Sequence, residues 1–100
     1  MKLTITRNGS QMTGSLCGKL DTVNAEQFSR DMQPLMDAAD GDIVLDCAAL
    51  DYISSSGLRL FLTLRKLVAA KGGKLTIRNL NEGIREVFAI TGFFNLFTIE

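Results

Sequence analysis

Polar and apolar residues alternate at the start of the chain, and the period then changes to that of a helix and back several times. Leu3 and Ile5, and after a break Met12, Leu16 and Leu20, stand at even spacing among polar neighbours, as strands buried on one face do. The break falls at Asn8-Gly9-Ser10. An Asn-Gly pair between two alternating runs is a strong hairpin signal, so antiparallel strands are predicted near 2–7 and 11–19. Beyond Leu20 the apolar positions Phe28, Met32, Leu35, Met36 and Ala39 fall at helical spacing, with Asp21, Thr22 or Asn24 available as N-cap. Pro34 lies inside that stretch, yet the apolar stripe keeps its phase across it, so one kinked helix is expected.

Asp40-Gly41-Asp42 closes the helix, and the unbroken run from Ile43 to Asp46 reads as a central strand buried on both faces. A second helix is predicted from Leu58 to Ala70, with Leu60, Phe61, Leu64, Leu67 and Val68 toward the sheet. Leu58, Leu62 and Ala69 form a separate strip beside Arg59 and Arg65, suited either to a neighbouring helix or to a partner protein. Lys71-Gly72-Gly73-Lys74 stops this helix, and Leu75-Thr76-Ile77 reads as a strand. Asn79 or Asn81 can cap a third helix carrying Ile84, Val87, Phe88 and Ile90, which Gly92 ends; Phe93 to Ile99 supplies a turn and a last short strand. The expected architecture is α/β, a mixed sheet of about five strands with three to four helices: an antiparallel hairpin first, parallel crossovers after it.

With 100 residues, 46% of them hydrophobic, the chain has room for one core, and residues 1–100 are expected to form one domain. Eleven basic residues balance eleven acidic ones, so no global field draws in nucleic acid or an anionic membrane. The first residues alternate like a strand and not like a signal peptide, and the apolar runs are too short to cross a bilayer. A cytoplasmic protein with a protein or small-ligand partner is expected. Cys17 and Cys47 lie in separate strand-like segments and there is no histidine, so no metal site is expected and both thiols are expected to be buried and free.

Candidate chemistry gathers in Asp51-Tyr52-Ile53-Ser54-Ser55-Ser56-Gly57-Leu58, where a strand turns into a helix. One serine suffices to cap the helix; surplus hydroxyls stand where free N–H groups and the helix dipole favour negative charge. A serine nucleophile elbow needs Gly-x-Ser-x-Gly, but Ile53 stands in place of the first glycine when Ser55 is the serine, and a Ser-His-Asp triad has no histidine to draw on. Gly72-Gly73-Lys74 lacks the rest of a P-loop. Arg59, Arg65, Lys66, Lys71 and Lys74 cluster without stacking aromatics beyond Tyr52 and the core-facing Phe61, as on an ordinary solvated helix face. Asp21, Asp46 and Asp51 are expected on the rim where parallel strands end, although capping and turn formation explain each singly.

Taken together, Gly18-Lys19-Leu20-Asp21, Ile43-Val44-Leu45-Asp46, Tyr52-Ile53-Ser54-Ser55-Ser56-Gly57-Leu58 and Thr91-Gly92-Phe93-Phe94-Asn95-Leu96-Phe97 resemble the STAS domain family in order and spacing, and in particular its single-domain bacterial anti-sigma factor antagonists. The resemblance implies a protein-binding regulator and not an enzyme, with no cofactor. It implies that Ser55, two before the glycine, is phosphorylated by a partner that is both serine kinase and anti-sigma factor, and is restored by a serine phosphatase. The unmodified chain, acting as a monomer, then binds the kinase and releases a sigma factor. Asp21, Ser54, Ser56, Gly57, Leu58 and Leu62 are the residues expected at the partner surface. Many members carry Asp immediately before the phosphorylated serine; here that residue is Ser54, which keeps Ser56 as an alternative acceptor. The other reading is a STAS subunit of a transport or signalling assembly that is not switched, its serines a plain helix cap.

Overall fold

A computed structural model describes residues 1–100. The hairpin comes first, β1 (Lys2–Asn8) and β2 (Gln11–Leu20), antiparallel with Asn8 opposite Gln11. The two turn residues are therefore Gly9 and Ser10, and Gly9 takes φ +65°, which glycine adopts without a steric penalty. Then follow α1 (Ala25–Asp31), α2 (Gln33–Asp37), β3 (Asp42–Ile53), α3 (Ser55–Lys71), β4 (Lys74–Arg78), α4 (Glu82–Thr91), a 3-10 turn at Phe93–Asn95 and β5 (Thr98–Ile99). The strands lie side by side in chain order, β1 antiparallel and the rest parallel, giving the expected mixed five-stranded sheet.

Consecutive parallel strands joined by right-handed crossovers put every helix on the same face of the sheet. That face supplies Met12, Leu16, Ile43, Leu45, Leu75 and Ile77 to one core, which also holds buried residues of all four helices. Six phenylalanines tie the core to the end of the chain: Phe61 lies 6.2 Å from Phe28, 6.4 Å from Phe88 and 6.5 Å from Phe97, and Phe88 packs on Phe93 and Phe94. All of these but the tilted Phe28–Phe61 pair are edge-to-face, an arrangement that adds about 0.5–1.5 kcal/mol per pair beyond burial. The opposite sheet face carries the row Thr6, Thr13, Val44, Thr76 and Thr98.

Several expectations are corrected. The stretch around Pro34 is two helices and not one kinked helix: α1 ends at Asp31 and α2 starts at Gln33. Proline has no N–H for the carbonyl four residues back and its ring clashes there, whereas in the first turn of a new helix no such bond is needed. The phase survives the break, since Phe28, Met32, Leu35 and Ala39 are all fully buried. The central strand is also far longer than Ile43 to Asp46. β4 pairs with it only as far as Asp46, but β2 accompanies it to Ile53 through two register shifts, which scramble the alternation a reader would look for.

Ile90, expected on the stripe of the third helix, is 85% exposed; only Ile84 and Phe88 of α4 are buried. Cys17 is exposed and not buried, because it follows Leu16 in β2 and so points to the face without helices. Cys47 is buried as expected, and both thiols are free. Burial, followed by the neighbouring Asp46 charge, pushes the Cys47 thiol up to about 12. A raised thiol pKa stabilises the fold below the unfolded value near 9 and loses that contribution as pH climbs through about 12.

Candidate functional site

Parallel strands β2 and β3 end together: Leu20 pairs with Ile53, and the Leu20 carbonyl accepts a hydrogen bond from the Ser54 N–H at 2.8 Å. This brings the two chain segments that follow, Asp21 onward and Ser54 onward, to one rim. Helix α3 starts at Ser55, three residues earlier than its apolar pattern suggests. Ser54 is its N-cap: extended in backbone, it accepts from the Gly57 N–H through Oγ at 3.2 Å, and its carbonyl accepts from the Leu58 N–H at 2.9 Å. Ser54 is accordingly only 8% exposed, with its hydroxyl occupied in the cap.

Ser55 and Ser56 are then the first two helical residues, Ser55 exposed and Ser56 half-buried. Their turn holds no acidic residue. The unpaired N–H groups and dipole of a 17-residue helix therefore face no opposing charge of their own turn. Gly57 is what lets the turn sit so low. A Cβ there would lie 2.7 Å from Leu20 Cγ and 3.0 Å from Ile53 Cγ1, so the helix start rests on the strand ends at a distance open only to glycine.

Asp21 lies on the same rim, in a turn locked by reciprocal bonds: its carboxylate accepts from the Asn24 N–H at 3.0 Å, and Asn24 Oδ1 accepts from the Asp21 N–H at 2.9 Å. The Asn24 amide also donates to the Lys19 carbonyl at 2.7 Å. Of the three N-cap candidates, Asn24 holds the position, but its side chain serves this turn and not the helix. Asp51 is exposed near the end of β3. Asp46 does not join them and does not end its strand; its carboxylate accepts from the Ala48 N–H and from the Asn79 amide, next to the last β3–β4 pair.

Three residues expected at a partner surface, Ser54, Gly57 and Leu58, are instead beneath it. Gly57 is buried, and Leu58 is 6% exposed within the core. Leu62 is half-buried against the same core. The reason is the breadth of the apolar arc: α3 touches the sheet, the helices before it and the last segment of the chain, where Arg65 Nε donates to the Leu96 carbonyl. Leu60 and Leu67 are correspondingly half-buried on the other flank, while Phe61, Leu64 and Val68 form the buried centre.

Three features of the rim lie outside the site residues expected from the sequence. Val23, in the locked turn, is 92% exposed; it stands outside the Phe28 and Met32 stripe, which is the signal that could have shown it. Tyr52 is 49% exposed at the end of β3, paired with Lys19. Arg59 lines a shallow groove of about 330 Å³ between α1 and α3, with Ala25, Glu26, Ser29, Ser56 and Leu60. No cluster of three or more His, Cys, Asp or Glu side chains is arranged to hold a metal, and no helix is long and apolar enough to cross a membrane.

A two-layer α/β domain whose longest helix opens on free hydroxyls is thus the class that fold and site define. The STAS domain family model matches residues 3–100, and the chain belongs to that family. It is 36% identical over 99 residues to BtrV of Bordetella bronchiseptica, named as a candidate anti-sigma factor antagonist, covering 99% of this chain and 85% of that one. In structure it is similar to a candidate anti-sigma factor antagonist of Thermotoga maritima, at TM-score 0.88 and 17% identity, covering 97% of this chain and 84% of that one. It is also similar to the Bacillus cell fate determinant SpoIIAA in its phosphorylated form, at TM-score 0.74 and 20% identity, covering 99% and 91%.

Proposed function

We propose that the chain is an anti-sigma factor antagonist switched at Ser55. In this reading the unmodified protein, a cytoplasmic monomer of one domain spanning residues 1–100, binds an anti-sigma factor that is also a serine kinase, and so releases a sigma factor. The kinase phosphorylates Ser55, the complex parts, and a serine phosphatase resets the switch. The chain performs no catalysis itself. The observation that carries the reading is the division of labour at the corner: Ser54 makes the structural cap, which leaves Ser55 exposed with no capping role to lose. Ser56, half-buried and lining the α1–α3 groove, is the less accessible acceptor.

The partner surface in this reading is the rim of half-buried Asp21 and exposed Val23, Tyr52 and Ser55, with Ser56 at its edge. Ser54, Gly57 and Leu58 hold it from beneath, and Leu62 supports it from the flank. A phosphate on Ser55 brings about −1.5 to −2 charge to a place where the helix dipole and first-turn N–H groups favour it, so the fold is retained and the surface changes. The test is peptide mass spectrometry after incubation with the partner kinase and ATP. Phosphate on Ser55, absent from Ser55→Ala and retained in Ser54→Ala, is expected. Phosphate on Ser56 alone moves the switch by one residue, and none with the kinase that copurifies with the chain favours the unswitched subunit.

A further inference from the structure

The rim that receives the phosphate is not uniformly acidic. Asp21 in the locked turn, Glu26 on α1 and Asp51 on β3 all stand near the start of α3, and each would resist a second charge on Ser55. Of the other nearby cations, Arg30 pairs with Glu26 at 3.1 Å, and Lys19, exposed and in no ion pair, sits on β2 opposite Tyr52 and not on the helix that carries Ser55. Arg59 differs from both. It is four residues after Ser55 on the same helix, it is exposed, and it takes part in neither of the ion pairs that the structure contains. Residues at i and i+4 stand about 5–6 Å apart between Cβ atoms, and helical side chains lean toward the N-terminus, so residue 55 is within reach of the Arg59 guanidinium. Its planar fork suits a phosphate's two oxygens.

We propose that Arg59 is the intramolecular partner of the phosphate on Ser55, an inference that rests on the reading of Ser55 as the modified residue. In the unmodified chain Arg59 lines the α1–α3 groove beside Ser56 and Leu60 and is free for an acidic group of the partner. Once Ser55 carries phosphate, the same guanidinium turns to it, so the rim gains a dianion and the groove loses its cation in one event. The pair holds the phosphate in its doubly charged form and shields it from removal. Arg59 is a positioning residue for the modification, without a part in forming or breaking the phosphoester bond.

The test is a titration of the full chain carrying phosphoserine at position 55, made by joining two synthetic pieces at Cys47. The phosphorus chemical shift against pH reports the second ionisation. Arg59→Gln is expected to raise that ionisation by about half a unit at low salt, the scale of an exposed charge pair, and Arg59→Lys by less. Lys66→Gln, which removes an equal charge from farther along the same helix, is expected to leave it unchanged, and the Arg59 effect is expected to fade at about 1 M salt. A dephosphorylation rate raised in Arg59→Gln gives the second readout. Equal ionisation in Arg59→Gln and in the parent overturns the proposal, as does an equal shift in Lys66→Gln. Because synthesis installs the phosphate, this result is decided whether or not a kinase marks Ser55, and the two readings fall separately.

Discussion

Helices α3 and α4 begin and end by the same devices and differ in one place. Each is capped by a side chain three residues ahead of the N–H it satisfies, Ser54 to Gly57 at 3.2 Å and Asn81 to Ile84 at 2.9 Å. Each ends on a left-handed glycine, Gly72 at φ +75° and Gly92 at φ +76°. After its cap α4 carries Glu82, a fixed negative charge where the dipole wants one, and Asn81 also donates to the Leu50 carbonyl. At the same place α3 carries Ser55 and its first turn has no acid. The start of α4 is electrostatically complete. The start of α3 has no such charge of its own, and in the proposed reading a phosphate on Ser55 would supply it reversibly.

The glycines just inside the two starts should separate the helices most. Gly57→Ala is expected to cost about 1–3 kcal/mol, since the added methyl overlaps Leu20, whereas Gly83→Ala meets only Asn81 Oδ1 at 3.5 Å and should be neutral or gain up to about 1 kcal/mol. Urea unfolding midpoints check both, and a tolerated Gly57→Ala would deny the close seat of α3 on the strands. The caps come next. Asn81→Ala should cost about 1–2 kcal/mol, because it loses the cap and leaves the Leu50 carbonyl without its partner. Ser54→Ala should cost about 0.5–1 kcal/mol, and equal losses in thermal melts would show that the two caps are equivalent.

The smallest effects are electrostatic and opposite in sign. Ser55→Asp should stabilise by about 0.3–1 kcal/mol at neutral pH, and Glu82→Gln should destabilise by a similar amount, both fading in high salt. A destabilising Ser55→Asp would mean that the rim acids outweigh the dipole at this position.

Much of this arrangement was legible from residues alone. The hairpin, the order of elements and the serine corner followed from period changes, and the four separated segments that resemble STAS domains pointed to the family to which the chain belongs. What escaped has physical causes. The break at Met32 is hidden because the proline leaves the apolar phase intact, with Phe28, Met32, Leu35 and Ala39 buried on both sides of it. The long β3 is hidden by its register shifts, and by Ala48 and Ala49, which are exposed yet carry no polar mark. The strip with Leu58 leaves a neighbouring helix and a partner protein as alternatives that spacing does not separate; Leu58 is buried, and α3 packs on α1 and α2 as well as on the sheet. The locked Asp21–Asn24 turn, with Val23 on it, depends on side-chain bonds that no periodicity records.

The central claim is that charge on Ser55 controls partner binding while the fold stands. Its most direct measurement is the affinity of the purified partner kinase for the chain with Ser55 and for the chain with phosphoserine there, with melting followed on the same samples. A charge that the partner surface does not match costs about 2–5 kcal/mol at an interface, so binding should weaken by about thirty-fold to a few thousand-fold, with melting unchanged or slightly raised. Equal affinity for the two forms would contradict the account, and so would a loss of affinity that merely follows a loss of folding.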